Sequence, residues 1–438
     1  MSVRIFGDGL DALILATTLS KLKIEYSWYQ TSEHIGGYFK GAVGCQGQPI
    51  DLGMVLLEPN DYGLTRNGID RFTGETGVNA RPFLFDAYSF LEKTFGALKS
   101  VEILTLDEKL SEFPDYFISD NLDVFSTMPE VTKLELLEKA TWVLANPSWH
   151  PSMKYSSTDK FTNIGLEEYL ILIHGQHFYN DYFRSFITNL LGAKRNTLSA
   201  NLHRKAWMPI YWPETLIGAH EGARIPAALF NPRFTRPNQG SLARWVSSML
   251  EEVSSDESAT VIKTSSIVPA EFDNFSSEYD FPFVSVDKIM PNVGAMVRRI
   301  PEKVTLRMVH FCTRNQKDSV FFLNNELEMC FRYSTYSDQD SNTGGVMFEF
   351  GEYSKEIPEN DLVKSARLLA DKRGIELTCE GRVFKGSLPL EQVLFQTQSS
   401  DSLRIPNQYS FHTLGNVTIN DNVIRGAYAA NRIERLIR

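Results

Sequence analysis

The period of the apolar positions changes twice within the first thirty residues. Val3, Ile5 and Phe6 form a short apolar run that predicts a strand. Leu10, Leu13, Ile14, Ala16 and Leu19 then recur at helical spacing, and Tyr26 to Tyr29 predicts a second strand. Between the first strand and the helix lies Gly7-Asp8-Gly9-Leu10-Asp11-Ala12. Strand, glycine turn, helix and strand fit in the roughly thirty residues that a nucleotide-binding βαβ unit needs. In such a unit Gly7 allows the tight turn, Gly9 lets the backbone approach a pyrophosphate, and Ala12 lets helix pack on strand. The helix N-terminus offers N–H groups to the phosphates. A purely structural βαβ unit is the alternative.

Farther on, residues 59–80 are rich in Asn, Gly, Asp and Thr and predict a loop. From Pro82 to about Leu191 the pattern is mostly helical. Phe83, Phe85, Tyr88, Leu91 and Phe95 share a helical spacing, as do Leu134, Leu136, Leu137 and Ala140 after Pro129. Asn163 to Leu191 predicts two helices broken near Gly175. Residues 206–239 are rich in aromatic residues and proline and predict loops that can wall a pocket. Gly240 to Glu252 predicts an amphipathic helix with Leu242, Trp245, Val246 and Leu250 inward. From about Ala259 to Phe350, β-branched and aromatic runs separated by turn residues predict strands. Glu359 to Arg373 returns to helix, and Phe411 to Arg438 reads as a strand-like start, a turn and a terminal helix.

Composition narrows the function classes. The chain has 438 residues, of which 42% are hydrophobic and 22% charged, enough for two or three globular cores. Its net charge of −10, with no basic stripe, argues against nucleic acid as a main partner. The most apolar runs, such as Tyr169 to Ile173, are too short to span a bilayer, and the N-terminus enters a core strand directly; a cytoplasmic location is the expectation. Cys45, Cys312, Cys330 and Cys379 form no CxxC pair, so the spacing indicates neither zinc nor a disulfide framework. His174 and His177 are three apart on a predicted helix, but no further ligand spacing accompanies them, so no metal is expected. No GxSxG or Cys–His arrangement suggests nucleophilic catalysis.

Several stretches together resemble the FAD-dependent amine oxidase and protoporphyrinogen oxidase-like superfamily, which includes UDP-galactopyranose mutase. The resemblance starts at Gly7 to Ala12 and continues with Glu33-His34-Ile35-Gly36-Gly37, where the family places a Gly-Gly pair against the flavin phosphates. Asp51-Leu52-Gly53 matches the next landmark, and Gln239-Gly240-Ser241-Leu242 a Gly-led helix. Leu414-Gly415-Asn416, then Arg425-Gly426-Ala427-Tyr428-Ala429-Ala430, resembles the carboxy-terminal flavin motif. The likeness implies an α/β protein: a Rossmann-like FAD-binding domain with an inserted helical and mixed-sheet substrate domain. FAD binding falls to 1–75, 195–285 and 375–438, and the substrate domain to 76–194 and 286–374.

The implied cofactor-binding residues are Gly7, Gly9, Leu10, Ala12, Gln30, Gly36, Gly37, Tyr38, Gly415, Asn416, Ile424 and Arg425. Two depart from the family: Gln30 and Asn416 stand where it usually has Glu and Asp. An amide still accepts a hydroxyl hydrogen bond, but without the charge that roughly doubles its strength. By the same likeness Ile300 to Arg307 matches the strand carrying a lysine near the flavin in amine oxidases, with Arg307 in that place. Arginine stays protonated and cannot act as a base, but it can anchor an anion or stabilise charge on reduced flavin. An arginine on a solvated strand face is an equal alternative. Arg204, Trp212, Arg224 and Arg236, near Trp207, Tyr211, Arg233 and Phe234, suit an anionic small molecule or a nucleotide sugar. Equally, those aromatics can be core and those arginines surface. The function implied is an FAD-dependent oxidoreductase acting on a small molecule by hydride transfer to flavin N5. A mutase-like non-redox flavoenzyme and a scaffold without flavin are the alternatives.

Overall fold

The computed structural model describes residues 2–53, 55–57, 89, 91–93, 96–106, 112–114, 128–150, 164–196, 198, 200, 213–221, 234–238, 240–265, 280–285, 301–314, 316–323, 329–338, 343–391, 426–427, 429–430 and 433–434. The first sheet is built from β1 (Ser2–Phe6), β2 (Tyr26–Gln30), β9 (Ala259–Lys263) and β10 (Asp280–Val284), in the order β10-β1-β2-β9. All its pairings are parallel. Helix α1 (Leu10–Lys21) links β1 to β2, and α6 (Leu242–Ser254) leads into β9. Such an order is one half of a doubly wound sheet, with its switch point between β1 and β10. The two helices pack together through Leu13, Ile14, Trp245, Val246 and Met249. As the spacing predicts, Leu242, Trp245 and Val246 face inward; Leu250 is only partly buried, and Met249 and Val253 complete the stripe.

Between β2 and β9 the chain makes short hairpin strands β3 (Ala42–Val43) and β4 (Pro49–Ile50), then β5 (Leu98–Ser100), β6 (Glu102–Leu106) and β7 (Glu112–Pro114). The last three lie where the sequence reads as mostly helical. Their backbone groups are taken up by neighbours remote in sequence: β5 by β8 (Thr235–Pro237), and β6 by β12 (Ser319–Leu323). Helices α2 (Glu130–Ala145), α3 (Leu166–His174), α4 (Arg184–Leu191) and α5 (Pro213–His220) follow. In α2, Leu136, Ala140 and Val143 are buried, whereas Leu134 points outward. The predicted break at Gly175 is present: its φ of 89° favours glycine, and an added Cβ would lie 2.5 Å from the Glu135 side chain. Glu135 in turn accepts hydrogen bonds from the N–H groups of Gln176 and His177.

The second sheet has seven strands. With β11 (Pro301–Arg314), β13 (Cys330–Asp338), β14 (Thr343–Phe350) and β15 (Arg382–Glu391), its order is β15-β11-β14-β13-β12-β6-β7. Every pairing is antiparallel except β12 with β6. Residues 382–391, which the sequence assigns to the first domain, therefore supply the edge strand of the second sheet. Alternation gives β11 two unlike faces. Val304, Leu306 and Met308 pack with the helices α2 to α4. Val309 and Phe311 pack instead with Leu362, Ala366 and Leu369 of α7 (Glu359–Lys372). Gly426, Ala427, Ala429, Ala430 and Ile433 are helical and close the first core against α1.

One buried ion pair lies inside the second sheet. Arg332 meets Glu349 in a two-pronged contact, Nε to Oε1 at 2.8 Å and Nη2 to Oε2 at 2.6 Å. Rings of Phe322 and Phe331 flank the guanidinium. Removing one partner strands a buried charge, so Glu349→Ala should lose about 3–5 kcal/mol in urea unfolding. A paired apolar replacement, Arg332→Met with Glu349→Leu, should recover much of that loss, because neither charge is then buried alone.

Candidate functional site: the glycine cradle and its surroundings

The C-terminal end of β1 turns sharply through Gly7, whose φ of 118° is a conformation that glycine tolerates. Two bonds fix this turn: the Gly7 N–H donates to Tyr29 O at 3.0 Å, and the fully buried Trp28 donates from Nε1 to Gly7 O at 2.7 Å. Gly9 is extended and caps α1. The Gly36–Gly37 turn comes to the same place, since the Gly36 N–H donates to Asp8 O at 2.8 Å. Gly36 has φ 83°, and an added Cβ would meet Val246 Cγ1 at 2.9 Å. At Gly37, φ is 57°, and an added Cβ would meet nothing within 4 Å among the described residues. Gly426 approaches from the far end of the chain; a Cβ there would lie 2.7 Å from Asp11 O. Gly7, Gly9, Leu10, Ala12, Gly36 and Gly37 are thus gathered at the carboxyl end of β1, with Gln30 buried at the end of β2.

Two acidic residues also lie in the cradle, and glycine spacing gives no hint of what they do. Asp8 is buried and accepts from Thr31 twice, from the N–H at 2.9 Å and from the hydroxyl at 2.6 Å. Asp11 is fully buried; its Oδ1 accepts from the Ser285 hydroxyl and from the Ala12 N–H. Ser285 directly follows β10, so Asp11 lies at the switch point. For FAD the test is mixed. The glycine turn, helix N-terminus and Gly36–Gly37 corner suit the close approach of a pyrophosphate. Asp8 and Asp11 add two carboxyl groups to the same turn, Asp8 turned to Thr31 and Asp11 to Ser285, and negative charge this near works against an anion.

The remaining sequence candidates divide by location. Tyr38 lies in a turn of 3₁₀ helix, Gly37–Lys40, with its side chain outside the described residues. Gly415, Asn416, Ile424, Arg425, Arg204, Trp212 and Arg224 also lie outside them. Arg307 shares the face of β11 that packs on α7. Its Nη1 donates to Ser354 O and Ile357 O, and its Nη2 lies 3.8 Å from Glu359 Oε1. Arg236 is buried, with Nη1 3.2 Å from both Asp318 Oδ1 and Thr335 O. Lys99 reaches the other Asp318 oxygen at 2.7 Å, so one carboxylate joins β5, β8 and the start of β12. Both arginines are therefore committed to protein partners. The histidines are separate as well: His174 is buried among Phe178 and Phe183, while His177 pairs with Glu135 at 2.8 Å.

A different group of side chains does converge on the β3–β4 hairpin. Cys45, Cys312 and Cys379 place their sulfurs within 4.8 Å of one another, although the sequence spacing suggests nothing of the kind. Burial and the neighbouring thiols push Cys45 up to about 12 and Cys312 up to about 11. His310 adjoins them, held down to about 4 by burial and by the Arg382 cation.

No protein-family model matches the sequence, and no curated protein sequence matches it either. Solved structures do match. A reduced UDP-galactopyranose mutase is 13% identical, with TM-score 0.53, over 99% of this chain and 96% of its own. The cyclohexylamine oxidase of Brevibacterium oxydans IH-35A is 12% identical, with TM-score 0.52, over 100% and 99%. A putrescine oxidase redesigned in its cofactor binding is 12% identical, with TM-score 0.50, over 99% of each chain. The chain shares the fold of this mutase and these two amine oxidases. Likeness along nearly the whole chain ties both sheets into one architecture. Among the described residues, no helix is long and apolar enough to cross a membrane.

Asp51, a landmark of the sequence resemblance, has a definite structural task. It accepts from the N–H groups of Leu242 and Ala243 at 3.1 and 2.8 Å, so it caps α6. Burial raises its carboxyl from 3.8 to about 6, against the opposing pull of Arg236 and those N–H bonds. A carboxyl raised in the folded state contributes stability below its unfolded pKa and loses it as pH rises through the folded value. Melting temperature should therefore fall between pH 4 and pH 6 in the native chain. In Asp51→Asn that slope should flatten; an unchanged slope would assign the titration to another group. Arg236→Ala should cost more than about 2 kcal/mol in urea unfolding, because it leaves Asp318 buried and short of a partner.

Proposed function

We propose that this protein is a flavoprotein that binds FAD along the glycine cradle and acts on a small molecule. The observation that carries the reading is the convergence of Gly7–Ala12, Gly36–Gly37 and Gly426 at the switch point of the parallel sheet. The fold likeness to two amine oxidases and a mutase supports it. In this reading the N-terminus of α1 and the Gly36–Gly37 corner hold the pyrophosphate, and Gln30 accepts from the adenosine ribose. Gly415, Asn416, Ile424 and Arg425 serve the ribityl end. Bound FAD supplies hydride acceptance at N5, which suits oxidation of a small molecule. Arg204, Trp212 and Arg224 remain the proposed contacts to an anionic substrate. A nucleotide sugar is compatible with the same arginines, as the likeness to the mutase suggests.

A second reading has its own support: a scaffold that keeps the fold and has dropped the flavin. Asp8 and Asp11 favour it, since each adds a buried carboxyl group to the glycine turn that the pyrophosphate would approach. The purified protein separates the two. A yellow protein that releases FAD on denaturation is the expected result. A colourless protein with a melting temperature indifferent to added FAD would establish the scaffold instead. In the flavoprotein, Gly9→Val should abolish FAD retention while circular dichroism stays close to native. Asp8→Asn should tighten FAD roughly tenfold, about 1.4 kcal/mol, by removing one negative charge from the cradle.

A further inference from the structure

Away from the glycine cradle, the hairpin turn between β3 and β4 brings Cys45 onto the face of β11 that carries His310 and Cys312. Alternation along β11 puts those two on one side, opposite Arg307 and Phe311. Cys379 reaches the same point because residues 377–379 run beside β11. The Thr378 N–H donates to Cys312 O at 2.9 Å, and Leu377 bridges Thr313. The three sulfurs lie within 4.8 Å of one another, and Cys45 Sγ lies 3.3 Å from His310 Nδ1. We propose that Cys45, Cys312, Cys379 and His310 Nδ1 form a tetrahedral site for a zinc-class cation.

Distances, donor chemistry and surroundings agree with this assignment. Around zinc, with metal–sulfur bonds of about 2.3 Å and metal–nitrogen bonds of about 2.0 Å, tetrahedral sulfurs lie about 3.8 Å apart and sulfur and nitrogen about 3.5 Å apart. The sulfurs already lie within 4.8 Å of one another and Cys45 Sγ lies 3.3 Å from His310 Nδ1, so the imidazole has to turn toward the other two sulfurs to complete the set. Three thiolates and an imidazole are a soft set that favours zinc over magnesium or calcium. The imidazole is also oriented: His310 Nε2 lies 2.6 Å from the Tyr336 hydroxyl. With that nitrogen carrying the proton, Nδ1 turns its lone pair toward Cys45, the usual outer support of a metal-bound histidine. The Tyr336 ring fits there because its partner residue is Gly345, where a Cβ would lie 2.3 Å from the hydroxyl. A backbone donor serves one sulfur, Cys312 N–H to Cys379 Sγ at 2.9 Å. Three thiolates around a divalent ion sum to a charge of −1, and Arg382 stands beside the set, donating to Val43 O and Gly44 O.

All four positions are protein ligands, so the ion has a structural task with no open position for substrate. It joins three segments far apart in sequence: the hairpin of the first sheet's region, the middle of β11 and the loop after α7. Cys45 and Cys379 are partly exposed, which gives the ion a way in. Cysteine spacing hides the site because each thiol comes from a different part of the chain.

The test uses the full chain, and its readout does not depend on flavin. Protein expressed with zinc in the medium should carry one zinc per chain by elemental analysis. Cobalt exchanged into it should show thiolate charge-transfer and tetrahedral d–d bands. Cys45→Ser and Cys379→Ser should each weaken zinc at least a hundredfold, and Tyr336→Phe roughly tenfold through the imidazole. Zinc-free wild-type protein that takes up neither metal on reconstitution would overturn the site. So would Cys45→Ser protein that holds zinc as tightly as the wild type, or a Cys45 disulfide in the native mass spectrum. If a serine variant does not fold, the cobalt spectrum of the wild type decides alone.

Discussion

Strand β1 must be paired on both edges, and the rest of the first lobe depends on that constraint. Its partners are β2, about twenty residues away, and β10, more than 270 residues away. A buried strand with an open edge would leave its N–H and C=O groups without partners, at a cost of a few kcal/mol each. Satisfying both edges places Ser285 beside Asp11 and fixes where the glycine turn emerges. Between β2 and β9 the chain leaves the first sheet and returns to pair β9 with β2 before β10 closes the open edge of β1. That excursion builds helices α2 to α5 and strands β6 and β7, while the other five strands of the second sheet, β11 to β15, follow β10.

Charge decides how the two lobes can be used. The cradle combines a backbone suited to a phosphate with two carboxylates that oppose one, and both are already satisfied by neutral hydroxyl and amide donors. Farther along, Asp318 gathers Arg236 and Lys99, Glu349 gathers Arg332, and Arg307 is tied to the turn before α7. Such pairing draws these cations into holding strands together.

Much of the fold was legible in the sequence because period-two and helical patterns are local. The glycine turn, both early strands, the break at Gly175 and the stripe of α6 could all be read from neighbouring residues. Strands β5, β6, β7 and β15 were not, since each is short, at an edge, or paired with residues remote in the chain. The roles of side chains were less legible still. Arg307 could be placed on β11, but only the register shows which face it takes, and that face belongs to α7. Asp8 stood in plain view inside the glycine motif, yet its link to Thr31 depends on how the two strands lie. The cysteines escaped because proximity in space, not spacing, brings them together.

The remote partner of β1 also sets a timetable for synthesis. Ribosomes add roughly 5–20 residues per second, so β10 emerges on the order of ten to fifty seconds after β2. During that interval β1 keeps one bare edge, and the apolar side of α1 lacks the later helix that covers it. Unpaired strand edges are templates for pairing with other chains. The newborn chain is therefore most exposed to edge-to-edge pairing with other chains while its middle is being made.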